Sequence, residues 1–453
     1  MSAARKAGGV ARRGWVALIA ILAVAVAVLL WLHGPSALEF AGGRPVELAH
    51  YHGADPTGGA PALQGVDLVT RGEYLVRAAD CMACHTARGG TPYAGGFAFN
   101  LPFGTLYSTN ITPDKATGIG GYTDAQFLAA LHRGLRGDGA RLYPAMPYTS
   151  YTYISDADAL AIKAYLFSLP PVHAPPKADS LSFPFNQRWL LGIWAALFNP
   201  DQRFQPNEAR SPEWNRGAYV SEALAHCGEC HTPRNFAFAL NNRKKFAGAV
   251  TAGWRAYNIT ADPVTGVGDW HDAVLAYLSR GHADGHGTAS GPMGEAVDHS
   301  LSRLAPQDVR SVVTYLASVP AVKSPDLPAI LTTPADASHR VGAAGLDGSG
   351  KQVFEGACVS CHDWSGVSAL TSFATLRGAR AVNDPSARNI AQVVISGTSR
   401  ETFDGFVSMP AFGNTYSDEE IAAVANYVSA RFGSKGSSLD ARDIAGFRRE
   451  IAQ

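Results

Sequence analysis

All six cysteines of this 453-residue chain fall in C-x-x-C pairs, and a histidine follows each pair at once. They are Cys81, Cys84 and His85 in "ADCMACHTA", Cys227, Cys230 and His231 in "LAHCGECHTP", and Cys358, Cys361 and His362 in "GACVSCHDW". No cysteine is left to tie distant segments together by a disulfide. On a helix, positions i, i+3 and i+4 share one face, so both sulfurs and the imidazole of each motif point at a single object. Haem is such an object: two thiols form thioethers with the porphyrin's vinyl groups while the neighbouring histidine ligates iron from the proximal side. Covalent attachment keeps the cofactor in place outside the cytoplasm, and the apolar macrocycle supplies core that a unit of ~100 residues lacks. Structural zinc would need a closed four-ligand site, for which no fourth ligand is obvious. A thioredoxin-like redox pair would not need a histidine after the second cysteine three times over. The expectation is three covalently bound haem c groups.

The N-terminus bears on compartment. Arg5, Lys6, Arg12 and Arg13 precede an unbroken apolar run from Trp15 to Leu32, roughly 27 Å as a helix and nearly enough to cross a bilayer. Positive charge stays on the cytoplasmic side, so the rest of the chain is expected in the periplasm of a bacterium, tethered to the inner membrane. A cleaved signal peptide is the alternative, but "HGPSALEF" after Leu32 offers no convincing A-x-A site. The formal net charge of zero gives no reason to expect nucleic acid as a partner.

The exported part repeats itself. "STNITPDKATGIGGYTDAQFLAALHRG" from Ser108 is echoed by "AYNITADPVTGVGDWHDAVLAYLSRG" from Ala256, at nearly the offset that separates His85 from His231. Motif and surroundings were therefore copied together. "RGEYLVRAADC", "RGAYVSEALAHC" and "GKQVFEGAC" lead into the three motifs with apolar residues spaced as on a one-faced helix. Each module ends in an expected helix: "SDADALAIKAYLFSL" from Ser155, "APQDVRSVVTYLASV" from Ala305 and "SDEEIAAVANYVSARF" from Ser417, the last with a Ser417–Glu420 capping box. The expected fold class is mainly α, with three tandem cytochrome c-like domains after an N-terminal transmembrane helix. Its parts are an anchor at 1–35, a linker at 36–66, domain 1 at 67–175, an inter-domain segment at 176–210, domain 2 at 211–322, a linker at 323–343, domain 3 at 344–433 and a tail at 434–453.

Methionine supplies the second iron ligand. Of five methionines, Met1 is the initiator and Met82 lies inside the first motif. The remaining three occur once per module, in Gly/Pro-rich loops before the last helix: Met146 in "LYPAMPY", Met293 in "ASGPMGEA" and Met409 in "VSMPAF". A thioether ligand raises the iron potential and closes the coordination sphere, which favours electron transfer over oxygen or peroxide chemistry. Gap-filling core methionines are the plainer reading. His282, His286 and His299 flank Met293 and leave a bis-histidine second haem open, whereas His132 and His226 read as packing or surface residues. Asn110 and Asn258 of the "NIT" repeats read as loop-shaping groups. "GLDGSGKQ" at Gly345 to Gln352 falls short of a phosphate-binding loop because Gln352 replaces the Mg²⁺-binding hydroxyl. "FPFNQRWLLGIWAALFNP", Phe183 to Pro200, reads as a buried inter-module helix or as a docking element for membrane or partner.

From about Leu68 to Gly433 the chain resembles the three-haem cytochrome c subunits of bacterial membrane-bound dehydrogenases. The likeness rests on the three C-x-x-C-H motifs, "GTLYSTNITPDKATGIG", "RLYPAMPY", "RWLLGIW", "HCGECHTPRN", "ASGPMGEAVDHS" and "MPAFGNTYSDEEIAAVANYV". The resemblance implies that Cys81, Cys84, Cys227, Cys230, Cys358 and Cys361 hold the haems. His85, His231 and His362 become proximal ligands and Met146, Met293 and Met409 distal ones. It also implies a respiratory role: electrons pass from a catalytic dehydrogenase subunit towards ubiquinone, and the substrate pocket belongs to the partner. The anchor with "ASGPMGEAVDHS" and "MPAFGNTYSDEE" looks most like cytochromes serving molybdenum-cofactor aldehyde dehydrogenases with an iron–sulfur subunit. An N-heterocycle hydroxylase and a quinoprotein alcohol or sugar dehydrogenase are the alternatives. A self-contained multihaem peroxidase would need an open iron position, and a free-standing shuttle is weakened by the anchor.

Overall fold

The computed structural model describes residues 34–60, 65–330, 348–402 and 405–451, with a few isolated positions besides. Among the described residues no helix is long and apolar enough to cross a membrane. The expected anchor, Trp15 to Leu32, lies almost wholly outside them.

Among the described residues the chain is mainly helical, and every sheet is two-stranded. Helix α1 (Leu68–Ala78) starts where the Asp67 carboxylate accepts from the amides of Val69 and Thr70. The first motif forms the short α2 (Cys81–His85). An antiparallel hairpin follows, β1 (Ala98–Leu101) with β2 (Gly104–Tyr107), then α3 (Asp124–Arg133), which a Thr123–Gln126 capping box opens. The short α4 (Tyr148–Tyr151) and α5 (Asp156–Ser168), capped by Ser155, complete the first module. After α6 (Leu190–Phe198) the pattern returns: α7 (Pro212–Tyr219), α8 (Gly228–His231), β3 (Ala249–Thr251) with β4 (Trp254–Ala256), and α9 (Asp272–Arg280). Then come β5 (His282–Ala283) with β6 (Gly287–Thr288), α10 (Pro292–His299) and α11 (Pro306–Ala317). The last part holds α12 (Ser349–Val353), α13 (Val359–His362), α14 (Arg388–Ser396), β7 (Thr398–Thr402) with β8 (Gly405–Met409), α15 (Asp418–Phe432) and α16 (Ala441–Ile451).

One contact recurs three times. Helices α1 and α5, α7 and α11, and α12 and α15 cross so closely that a glycine must stand at each crossing. A Cβ on Gly72 would land on the carbonyl oxygen of Ala161, one on Gly217 on that of Ser311, and one on Gly350 on that of Ala423. A tyrosine Cβ lies alongside each time, from Tyr165, Tyr315 and Tyr427. The glycine of the phosphate-loop look-alike thus serves helix packing.

The first two modules share one apolar core and the third has its own. The seam between the first two is reciprocal. Arg71 pairs with buried Asp158, whose Oδ2 also accepts from Tyr219 of the other module at 2.6 Å. Arg216 pairs with buried Asp308 at 2.5 Å, whose Oδ2 accepts from Tyr74 at 2.5 Å. Each module lends a tyrosine hydroxyl to its sister's carboxylate. The segment expected as a linker lies across this seam: the amide of Gly58 donates to Asp158, and the carbonyls of Pro56 and Gly58 accept from Arg216.

The stretch expected as a C-terminal tail also carries structure, since it holds α16. Ile444 and Phe447 are buried in the third core, and Arg448 binds Asp418 at 2.6 Å. A helix of 11 residues is marginal alone in water, so this one depends on tertiary packing.

Gly217→Ala is expected to cost about 3 kcal/mol, the upper part of the usual overpacking range, because the obstacle is backbone that cannot rotate away. Gly446→Ala, whose Cβ would meet only the end of Arg449 at 3.8 Å, is expected to be neutral or mildly stabilising. Urea unfolding of the two variants beside the parent measures both.

Candidate haem sites

Each motif forms one helical turn, and in the first two modules it is set off from the helix before it. Asp80 (φ 49°) and His226 (φ 37°) break direction just before Cys81 and Cys227, whereas in the third module a wide turn, Phe354–Cys358, runs into the motif directly. The three imidazoles are held alike. His85 Nδ1 lies 2.7 Å from the carbonyl of Thr109, His231 Nδ1 2.6 Å from that of Tyr257, and His362 Nδ1 2.6 Å from that of Ala374. A carbonyl only accepts, so Nδ1 carries the hydrogen and Nε2 keeps its lone pair free. Burial lowers the pKa of all three, which favours the neutral, ligating form. Burial also pushes the Cys81, Cys84 and Cys227 thiols up to about 12, and those of Cys230 and Cys358 to about 11. None of the six forms a disulfide.

The "NIT" repeats explain where those carbonyls come from. Thr109 and Tyr257 directly precede Asn110 and Asn258. Asn110 Oδ1 accepts from the Thr112 amide at 2.9 Å while its Nδ2 donates to the Val172 carbonyl at 2.7 Å. Asn258 does the same with Thr260 at 2.9 Å and Val322 at 2.5 Å. Both asparagines are buried. Each pins the loop to the chain leaving the module's last helix, so the histidine's acceptor is fixed from behind. In the third module Ala374 ends a short turn, Ser372–Ala374, capped by Thr371.

The three methionines are half-buried, Met146 and Met293 against the shared core and Met409 against the third. Among the described residues no three His, Cys, Asp or Glu side chains converge on a point where they could hold a metal ion. One Nε2 and one thioether per module, beside two thiols, form a donor set that fits haem c. Of the other histidines singled out in the sequence, His299 is exposed on α10. His282 has Nδ1 2.9 Å from Thr288 Oγ1 and Nε2 3.0 Å from Asp284, and His286 stacks on Trp270. His226 packs edge-on against Tyr151. His132 is buried, and burial with the charge of Arg203 pushes its pKa down to about 3; Asp156, 3.7 Å away, is largely solvated and does not offset this.

Glu229, between the cysteines of the second motif, went unnoticed in the sequence. It is buried yet held below the usual carboxylate range by Arg234, and it accepts from Ser150 Oγ at 2.9 Å and Thr149 Oγ1 at 3.1 Å. It joins the second motif to the stretch just after Met146. Helix α6 is neither fully buried nor free. Trp194 donates to the Ala237 carbonyl, while Trp189 and Ile193 stay 65% and 55% exposed.

Residues 69–170 match the family model "Cytochrome c", and residues 346–428 match "Cytochrome C oxidase, cbb3-type, subunit III". Among curated relatives, the fructose dehydrogenase cytochrome subunit of Gluconobacter japonicus is 39% identical over 87% of this chain and 85% of its own length. The gluconate 2-dehydrogenase cytochrome c subunit of Pantoea cypripedii is 37% identical over 84% of this chain and 90% of its own. The alcohol dehydrogenase (quinone) cytochrome c subunit of Gluconobacter oxydans is 36% identical over 86% and 84% respectively.

Asn258→Ala leaves the Val322 carbonyl and the Thr260 amide without their partner and is expected to lower stability by about 1–3 kcal/mol, read by urea unfolding. His132 sets an acid limit. Below pH 6.5 the unfolded chain binds a proton that the folded chain refuses until about pH 3, so stability falls as pH drops through that window. His132→Gln is expected to flatten the fall, measured as unfolding midpoints between pH 6.5 and 4.

Proposed function

This chain belongs to the family of cytochrome c subunits of bacterial membrane-bound dehydrogenases, and on that premise we propose that it carries three haem c groups and passes electrons from a catalytic subunit towards ubiquinone. The observation that carries the reading is the threefold Nδ1–carbonyl bond, which leaves Nε2 of His85, His231 and His362 with a free lone pair that could ligate iron. Cys81 with Cys84, Cys227 with Cys230, and Cys358 with Cys361 would hold the macrocycles through thioethers. Met146, Met293 and Met409 would be the second axial ligands. When bound, haem c supplies one-electron exchange at the iron. The chain's own residues orient the imidazoles, keep them neutral and give each module a thioether that closes the iron to substrates. That last point weighs against a peroxidase.

The finer reading concerns membrane and partner. Trp15 to Leu32 would anchor the chain in the inner membrane with the modules in the periplasm, and the exposed Trp189 and Ile193 suit an interfacial or subunit contact. For the partner's substrate we carry forward aldehydes, oxidised by a molybdenum-cofactor subunit, on the strength of "ASGPMGEAVDHS" and "MPAFGNTYSDEE". A second reading, sugars or sugar acids, is favoured by relatives named for fructose and gluconate dehydrogenases. An N-heterocycle hydroxylase is a third candidate.

Purification from detergent-solubilised membranes tests the whole. Three haems per chain by alkaline pyridine assay and a co-eluting dehydrogenase subunit are expected; fewer than three haems overturns the count. Reduction of the haems in that complex by an aldehyde, and not by fructose or gluconate, separates the first partner reading from the second.

A further inference from the structure

Met293 lies not in the loop expected from sequence but in the first turn of α10, and the two sister modules fill the space beside their methionines differently. In the first, α3 ends at Gly134 (φ 59°), and a Cβ there would run into the ring of Tyr148, two residues after Met146 in the same module. Helix α9 ends in the same way at Gly281 (φ 73°), but the equivalent space is filled by the guanidinium of Arg400, from β7 of the third module. Arg400 is 4% exposed. Its Nη1 donates to the carbonyls of Gly281 at 3.3 Å and Ala289 at 3.1 Å. Its Nη2 and Nε donate to Asp298 at 2.7 and 3.0 Å. Its Cδ would lie 3.5 Å from a Cβ on Gly294, the neighbour of Met293.

We infer that Arg400 is a positioning residue for Met293, so that the third module supplies the side chain that steadies the second module's thioether. This rests on the reading of Met293 as an axial ligand. Ala289 and Asp298 bracket Met293 in sequence, and one planar fork ties both down. The first module does not need such help. Prolines stand on both sides of Met146 in "PAMPY" and restrict its backbone, whereas Met293, in the first turn of α10, has a proline before it, Pro292, but a glycine after it. A buried guanidinium spanning two carbonyls and a carboxylate fixes geometry in a way that a point charge on a flexible stem does not. The same β7–β8 hairpin carries Met409 at its end, opposite Thr398, so one hairpin governs two methionines. The third module also reaches the histidine side of the second site. Buried Asp384 lies 3.2 Å from the hydroxyl of Tyr257, whose carbonyl receives His231.

The test uses the full haem-loaded chain with Arg400→Gln, Arg400→Lys, Asp298→Asn and Met293→Ala. It records the ferric thioether-to-iron charge-transfer band and the midpoint potential of each haem. Met293→Ala identifies the second haem by the band it removes. Arg400→Gln is expected to weaken or abolish that same band and lower that haem's potential, with the Met409 and Met146 haems unchanged. Arg400→Lys should recover part of the signal, and Asp298→Asn should move it in the same direction from the second module's side, independently of the hairpin's folding. If Arg400→Gln and Asp298→Asn both leave the band and potential intact while Met293→Ala removes them, the positioning role is overturned. Equal disturbance of all three haems by Arg400→Gln would overturn it as well. If Met293→Ala removes no band, the ligand reading itself has failed, and this inference fails with it.

Discussion

The close crossing of a module's first and last helices is the contact on which everything else rests. At Gly72, Gly217 and Gly350 the backbone of one helix touches a carbonyl of the other, with a tyrosine Cβ beside the contact. Because the motif turn follows the first helix within a few residues, the crossing sets the direction in which two thiols and an imidazole face. Each methionine stands before its module's last helix, Met146 just ahead of α4, Met293 on α10 and Met409 at the end of β8. The site is thus held by packing remote from it, and only the final adjustment, the bond from Nδ1 to a backbone carbonyl, is local.

Much of this was legible because it is periodic and local. The motifs, the one-faced lead-in helices, the capping box at Ser417 and the helices behind Ser155 and Ala305 are written in neighbouring residues, and α5, α11 and α15 lie where those patterns put them. The duplicated "NIT" blocks marked a loop of consequence. Their asparagines proved to brace the carbonyl that receives each histidine in the first two modules, something a main-chain acceptor cannot advertise in sequence. Contacts between modules were the hidden part. Nothing near Tyr74 or Tyr219 signals that its hydroxyl serves a carboxylate in the sister module, and nothing around Arg400 points to a loop more than a hundred residues earlier. Helix α16 was legible and was missed: Ile444, Phe447 and Ile451 recur at helical spacing in a charged stretch.

The modules differ in how self-sufficient they are. The first closes its methionine loop with its own Tyr148, while the second borrows Arg400 for the corresponding space. The second is also gripped at β4, where Asn389 exchanges hydrogen bonds with the backbone of Arg255 and Asp384 meets its guanidinium. Side chains of the third module thus reach both the segment around Met293 and the strand before the carbonyl that receives His231.

The tyrosines lent across the first seam also distinguish its geometry from that of the second. A joint in which each unit offers the other the same group is self-complementary, and once made it leaves neither surface free for another copy. The junction with the third unit is head-to-tail, with unlike surfaces meeting. An ancestral chain of this design could lengthen only through the second type of joint, since the first is complete at two.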